Sequence, residues 1–421
     1  MEIKRKDEVE KIKTRFKSAW NNVKYNEDSP TDSCSSDVTD DDAVMGNVDE
    51  FRKDFASRIW LTYRDEFAAL PGSDITTDCG WGCTLRAGQM MLAQALLLHF
   101  LGRDWTWPDA LTLEPLDAET WTSNAARKLV ASLEASFQAD RQSVSQSVYQ
   151  PQCGAEEADA HLKEVYHRTV VSWFGDTFSA QLGVHRLVHL GMTSGKQAGD
   201  WKAVEKATDR ELRGVTVYVA QDCTVYNADV IESHSAQMDK PIAPEGGLAA
   251  NRAVIILIPV RLGGERINPE YFNFVKAILS LEYCIGIIGG KPKQAYYFIG
   301  FQDDSMIYMD PHYCQSFVDV STSNFPLQSY HCPSPKKMPF LKMDPSCTIG
   351  FYSKSVQDYE RISSELSKLL QPSSKEKYPA FTFMNGHGRD YELSAPVEKR
   401  EWPFIKDTHS PGATAGDFVL L

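Results

Sequence analysis

The sequence of 421 residues has no apolar run long enough to cross a bilayer, which takes about twenty residues. Its longest apolar stretch covers residues 90–101 and is interrupted only by Gln94 and His99. Position 2 holds Glu2 rather than the glycine that N-myristoylation requires. We therefore expect a protein that is not anchored in a membrane and that works in the cytoplasm.

Clusters of basic residues are also missing. The chain has 44 Lys and Arg against 57 Asp and Glu, a net charge of -13, and residues 26–50 hold nine acidic and no basic side chains. This balance argues against a nucleic-acid partner. We interpret residues 1–47 as an amphipathic helix plus an acidic disordered tail, because apolar side chains recur at helical spacing before the acidic segment. That helix could lie on a membrane surface or dock back onto the folded domain.

Paired cysteine spacing is absent as well. The nine cysteines are scattered along the chain, which predicts reduced thiols rather than a disulfide framework. The spacing of Cys79, Cys83, His312 and Cys314 is not that of a tetrahedral zinc site. We predict no metal and no cofactor.

What the sequence does contain is a cysteine at the start of a buried helix. Gly80-Trp81-Gly82-Cys83 precedes the apolar run, and a helix that is apolar on all sides is buried on all sides. The first turn of a helix favours negative charge, and the thiolate is the reactive form of cysteine. A buried core cysteine is the alternative interpretation of Cys83.

The distribution of elements predicts an α+β fold. Helical patterns dominate the first half, and short β-branched or aromatic segments follow at residues 215–219, 254–260, 284–288, 296–301 and 306–309. We expect these segments to form strands of one sheet. Residues 358–370 are expected to form an amphipathic helix.

A partner for the cysteine follows the last of these strands. Successive strand side chains alternate faces, so Asp310 and His312 should project to the same side, about 6.6 Å apart along the chain. The carboxylate would then hold one imidazole nitrogen and leave the other for a thiol, as thiol hydrolases require. His387 has no adjacent carboxylate in the sequence and is interpreted as a turn residue.

Four motifs resemble those of the autophagins, the autophagy-related cysteine peptidases with a papain-like fold. They are residues 77–83 (TDCGWGC), 86–90 (RAGQM), 288–292 (IGGKP) and 308–312 (YMDPH). Residues 263–313 and 51–64 look closest to the C-type paralogue. The resemblance implies a papain-like peptidase domain at residues 48–393 with a small auxiliary subdomain, and disordered tails, the last at residues 394–421.

The resemblance also implies a substrate and its site. The family cuts ubiquitin-like autophagy modifiers after a C-terminal glycine, both in precursors and in phosphatidylethanolamine conjugates on membranes. By matching motifs, Cys83 would be the nucleophile, His312 the general base and acid, and Asp310 its orienting group. Tyr63 matches the family's oxyanion-hole tyrosine, and we expect the enzyme to act as a monomer.

Two further features follow from this resemblance. Trp201 and Pro292 match the residues that narrow the groove over the glycine tail, while Phe418 and Leu421 match an aromatic-x-x-aliphatic motif that docks the modifier. After Trp201, however, the chain lacks a short segment that the family carries. A catalytically weak or inactive binding protein for the same modifiers is therefore the alternative.

Overall fold

The computed structural model describes residues 50–113, 155–193, 212–235, 252–291, 294–371 and 378–391. Residues 50–57 are helical. The helices that follow are α1 (Cys83–Phe100), α2 (Ala155–Trp173), α3 (Val184–Thr193), α4 (Asn227–Ser235), α5 (Phe272–Leu279) and α6 (Val356–Leu369). The strands are β1 (Tyr63–Asp65), β2 (Val215–Val219), β3 (Thr224–Tyr226), β4 (Ala253–Arg261), β5 (Cys284–Lys291), β6 (Gln294–Gln302), β7 (Ser305–Met309), β8 (Cys314–Ser316), β9 (Lys336–Pro339), β10 (Ser346–Ser353) and β11 (Thr382–Met384).

A seven-stranded sheet forms the centre of the described fold. Its strand order is β2-β4-β10-β5-β6-β7-β9. Only β2 and β4 pair in parallel; the other neighbours are antiparallel. The mixed sheet and helices confirm the predicted α+β class, and all five predicted strands lie in this one sheet.

Helices cover the sheet on both faces. Along β4, Ile255 and Leu257 belong to the apolar core that contains α1, whereas Ile256 and Ile258 belong to the core that contains α5 and α6. Successive strand side chains alternate faces, so a strand covered on both sides reads as a continuous apolar run. This explains why residues 254–260 carry no polar side chain.

The helix that begins at Cys83 is buried, as the sequence predicts. Fourteen of the 18 residues of α1 are buried, among them the polar Gln89. The helix packs closely on the sheet at Gly350 of β10, where a Cβ would lie 2.6 Å from the Met91 sulfur. Gly102, with φ of +83°, follows the helix in the left-handed conformation that is common where helices end. In the part of the chain that the structure describes, no helix combines the length and apolar character that crossing a membrane requires.

Two buried histidines join α2 to the helix at residues 50–57 and to Trp107. His331 contacts the Ala56 carbonyl through Nδ1 at 2.8 Å and His167 through Nε2 at 3.1 Å. The His331 ring also stacks on Trp107, with centroids 4.0 Å apart. Burial lowers the pKa of His331 to about 4, and burial together with the neighbouring His331 and Arg168 lowers the pKa of His167 well below its usual value.

This pair predicts a loss of stability in mild acid. Between pH 6.5 and 4 the unfolded chain binds protons at both histidines while the folded chain does not, so the free energy of unfolding falls as the pH falls. We expect a loss on the order of 1 kcal/mol per pH unit for each histidine, measured by urea unfolding. His167→Phe should reduce this pH dependence, and His161→Gln, at an exposed position of α2, should not. Equal slopes in both variants would contradict the assignment.

Candidate active site

Cys83 is the first residue of α1, and the loop before it is shaped by Asp78. The Asp78 carbonyl accepts the Gly82 N–H at 2.9 Å, and the Asp78 carboxylate accepts the Arg64 N–H at 2.7 Å. Gly80 has φ of +84°, which favours glycine. A Cβ on Gly82 would lie 2.3 Å from the Asp78 carboxylate. Glycine at position 82 is therefore required by the close approach of Asp78, whatever binds in front of Cys83.

A buried ion cluster fixes this loop to the helix. Arg86 lies one turn after Cys83, and its guanidinium contacts Asp78 at 2.7 Å and Asp176 at 2.9 Å. The three side chains are at most 2% exposed. The two carboxylates hold the pKa of Arg86 above its usual range despite burial. The cluster ties the residues before Cys83 to the first turns of α1.

Asp310 and His312 meet in the loop between β7 and β8. The Asp310 carboxylate accepts the His312 backbone N–H at 3.0 Å and contacts the ring Nδ1 at 2.7 Å. We predicted that both residues would share one face at the end of a strand. The strand ends at Met309, so the loop that follows it, rather than strand alternation, brings the two side chains together.

The loop that carries Asp310 and His312 is fastened to the segment around Tyr63. The Trp60 indole N–H donates to the Asp310 carbonyl at 2.8 Å, and the Tyr63 N–H donates to the Pro311 carbonyl at 3.0 Å. The parallel pairing of β1 with β8 places Tyr63 opposite Cys314. The rings of Tyr63 and Tyr296 both pack edge-to-face against the His312 imidazole. Their centroids lie 5.6 and 5.2 Å from the His312 centroid.

The structure brings the thiol of Cys83 and the ring of His312 into contact. The His312 side chain and the Ala295 backbone N–H of β6 lie close enough to the Cys83 sulfur to lower the pKa of the thiol. Because Nδ1 of His312 is engaged by Asp310, Nε2 is left for the sulfur. Burial raises the pKa of the Tyr63 phenol, and the charge of the nearby Cys83 raises it further. Cys83, Asp310, His312 and Tyr63 are thus gathered at one place.

The electrostatics favour a thiolate and an imidazolium. Burial raises the pKa of Cys83, but the hydrogen bonds from His312 and Ala295 and the imidazolium charge outweigh it, so the pKa is lowered. Hydrogen bonds to Asp310 and Cys83 raise the pKa of His312 to about 9. Although burial opposes it, contacts with His312 and Lys336 lower the pKa of Asp310 to about 2. The lowered pKa of the Cys83 thiol and the raised pKa of the His312 imidazole both shift this pair toward a charged nucleophile beside a proton donor.

Sequence reasoning missed two side chains of this site. Lys336 of β9 lies 2.8 Å from the second Asp310 oxygen, and Tyr296 packs against His312. Tyr296 lies close after the motif at residues 288–292, but nothing in the sequence around Lys336 indicates its neighbour. Trp201, Pro292, Phe418 and Leu421, by contrast, lie outside the described residues.

His387 has contacts in the fold that its position in the sequence does not indicate. It does lie at a turn, before the short 3-10 helix Gly388–Asp390, as predicted. However, the fold supplies the carboxylate partners that its sequence neighbours lack: Asp229 lies 2.7 Å and Glu232 3.5 Å from its Nδ1. These acids come from α4, more than 150 positions earlier, and the contact fastens the end of the described chain to that helix.

Among the described residues, three potential metal-ligand atoms converge only at Asp229, Glu232 and His387. This hydrogen-bonded group shows nothing further that points to an ion. Cys79 and Cys314 contact each other and Cys83 contacts His312, but these four do not form such a group.

Residues 48–365 match the model of the Peptidase C54 catalytic domain. The chain belongs to this family of cysteine peptidases. It is 54% identical to the cysteine protease ATG4C of Homo sapiens over 464 aligned residues, which cover all of both chains. It is 46% identical to the cysteine protease atg4da of Danio rerio over 93% of this chain and 84% of the relative.

A more distant relative, the cysteine protease ATG4A of Xenopus laevis, is 30% identical over 87% of this chain and 83% of its own length. The higher identity to ATG4C confirms the resemblance to the C-type paralogue. The family match and these relatives also confirm the predicted papain-like cysteine peptidase class and the link to autophagy.

Proposed function

We propose that this peptidase cleaves ubiquitin-like autophagy modifiers after their C-terminal glycine, in precursors and in phosphatidylethanolamine conjugates. The observation that carries the proposal is the contact between Cys83, at the start of α1, and His312, which Asp310 holds. The substrate class is the one that the resemblance to the autophagins implies, and membership of the Peptidase C54 family supports it. The enzyme acts as a monomer in the cytoplasm and meets the membrane through its lipidated substrate.

The contacts suggest the following sequence of steps. The Cys83 thiolate attacks the glycine carbonyl carbon, and His312, as an imidazolium, gives its proton to the departing amine. That amine is the next residue of a precursor or the ethanolamine nitrogen of the lipid. His312 then takes a proton from water, and the hydroxide releases the modifier from its thioester with Cys83. Asp310 holds the imidazole orientation throughout.

The oxyanion of each tetrahedral intermediate needs hydrogen-bond donors. The N–H groups in the first turn of a helix lack intrahelical partners, and Cys83 begins α1. The buried Tyr63 phenol beside the sulfur supplies a second donor. This neighbourhood supports Tyr63 as the oxyanion-stabilising residue, in addition to its packing role.

Substrate selection is proposed for four residues outside the described part of the chain. Trp201 and Pro292 narrow the groove so that only glycine passes, since a slot without room for a Cβ rejects other residues. Phe418 and Leu421 dock an extended terminal segment onto the modifier. No observation favours the alternative of an inactive binding protein. Such a protein would not need Cys83 to lie against His312, yet the two side chains are in contact.

A cleavage assay tests the proposal. A modifier extended by several residues beyond its C-terminal glycine, and the same modifier conjugated to phosphatidylethanolamine in vesicles, are incubated with the full chain. Mass spectrometry should find both products ending at the glycine, and a Gly→Leu substitution at that position should block cleavage. Binding without cleavage of either substrate would favour the inactive binding protein instead.

The charge state of the pair predicts an unusual pH profile. Because the pKa of His312 is raised to about 9, the imidazolium persists through neutral pH, and kcat/KM should fall above pH 9 rather than near 6.5. Thiolate absorbance at 240 nm, taken as wild type minus Cys83→Ala, should be present at pH 7. It should be lost in His312→Phe. An absorbance difference that appears only above pH 8.5, where free thiols ionise, would contradict the ion pair.

A further inference from the structure

A second pair of thiols lies beside the Cys83 site. The sulfur of Cys79 is 2.6 Å from the sulfur of Cys314. Cys79 is exposed, and Cys314, on β8, is half-buried. A disulfide bond is 2.03–2.05 Å long, so these sulfurs need to approach by only about 0.6 Å to reach it.

We propose that Cys79 and Cys314 form a reversible disulfide that fastens the segment carrying Cys83 to the segment carrying His312. Cys79 lies four residues before Cys83, and Cys314 lies two residues after His312. The two cysteines are 235 positions apart in sequence. A bond between them therefore joins the two halves of the site directly.

The backbone holds the segments that bear the two sulfurs beside each other, independently of the contact between the sulfurs. Strand pairing places Cys314 opposite Tyr63 of β1. The next residue of β1, Arg64, accepts the Thr77 hydroxyl at 2.9 Å and the Asp78 N–H at 3.3 Å through its carbonyl. The residues just before Cys79 and the strand that bears Cys314 are thus both bonded to β1.

Competing pairings are less favourable. Cys83 is only 1% exposed, and its sulfur already faces His312 and the Ala295 N–H. Cys79 is the more accessible target for an oxidant, and its sulfur lies directly against that of Cys314. Burial, Cys79 and nearby carboxylates raise the pKa of Cys314 to about 12, so Cys79 rather than Cys314 is the thiol that meets the oxidant first.

A hydroperoxide supplies the oxidant. The Cys79 thiol gives its proton to water, and the thiolate attacks the peroxide oxygen, breaks the O–O bond and becomes a sulfenic acid. The departing alkoxide or hydroxide takes up that proton and leaves as an alcohol or water. The Cys314 sulfur then attacks the Cys79 sulfur and expels hydroxide, which takes the Cys314 proton and leaves as water. Overall, two thiols and one hydroperoxide give one disulfide, one alcohol or water, and one water. A dithiol such as dithiothreitol reverses the bond and is itself oxidised.

Peptide mapping tests the bond. The full-length protein is exposed to graded hydrogen peroxide, blocked with N-ethylmaleimide and digested without reductant. Chymotrypsin cuts after Trp81, Tyr313 and Phe317, which separates Cys79 from Cys83 and isolates Cys314. We expect a linked Cys79–Cys314 peptide that dithiothreitol abolishes. Linkage of Cys79 to Cys83, or its recovery as a sulfinic acid without a linked peptide, would overturn the proposal.

Thermal unfolding tests the fastening. A cross-link over a long stretch of chain restricts the unfolded state, so the peroxide-treated wild type should melt several degrees higher than the reduced protein. The shift should vanish in Cys79→Ser and in Cys314→Ser and persist in Cys223→Ser, a half-buried cysteine elsewhere in the fold. A linked peptide without a shift would refute the fastening. Neither measurement uses catalysis, so the result does not depend on the proposed function.

Discussion

Replacing Cys83 with alanine is expected to lower kcat for cleavage after the modifier's glycine by roughly 10⁵- to 10⁶-fold, the loss seen when a covalent nucleophile is removed. Alanine cannot form the thioester, and His312 then has no thiolate to pair with. The fold should survive, because Cys83 starts α1 and the Asp78–Arg86 cluster that shapes its loop does not involve the sulfur. The measurement is single-turnover cleavage, with the melting temperature recorded alongside.

Cys347→Ala is the matched control for this substitution. Cys347 is also buried, but it lies in β10 away from His312, so its loss should leave kcat within about twofold. Cleavage after glycine that persists in Cys83→Ala would identify another nucleophile and remove the basis of the mechanism. Equal losses in both variants would indicate unfolding rather than chemistry.

Local patterns explain what the sequence predicted well. The burial of α1 follows from its composition, because a run in which nearly every residue is apolar has no face for water. Strand β4 was recognisable for the same reason, since both of its faces are covered. The motif around Cys83 predicted a reactive thiol, and the motif around His312 predicted an imidazole held by Asp310. The resemblance to a known family predicted that the two would meet.

Local patterns could not predict the contacts between segments that are distant in the sequence. Strand β10 was missed, although it lies between β4 and β5, because Gly350 interrupts its pattern where α1 approaches. The partner of His387 comes from α4, and Lys336 reaches Asp310 from β9. The contact of Cys79 with Cys314 depends on β1 pairing with β8, two strands of only three residues each. None of these pairings leaves a periodic trace in the sequence.

The buried ion cluster before α1 could not be predicted from the sequence either, and it carries the second large expected effect. Arg86→Met should lower the free energy of unfolding by about 3–5 kcal/mol, because it leaves Asp78 and Asp176 as buried carboxylates with no cation between them. The remaining folded protein should also lose activity, since Asp78 shapes the turn before Cys83.

Urea unfolding with two further variants isolates the cause. Arg361→Met removes an ion pair with Glu282 of similar length, 2.9 Å, but with both side chains about half exposed, so the loss should stay below about 1 kcal/mol. Arg86→Met combined with Asp78→Asn and Asp176→Asn removes the unpaired charges and should recover part of the stability. If Arg86→Met lowers the free energy of unfolding no more than Arg361→Met does, the ion cluster does not hold the loop before Cys83. The close packing of Gly82 against Asp78 would then be what shapes that loop.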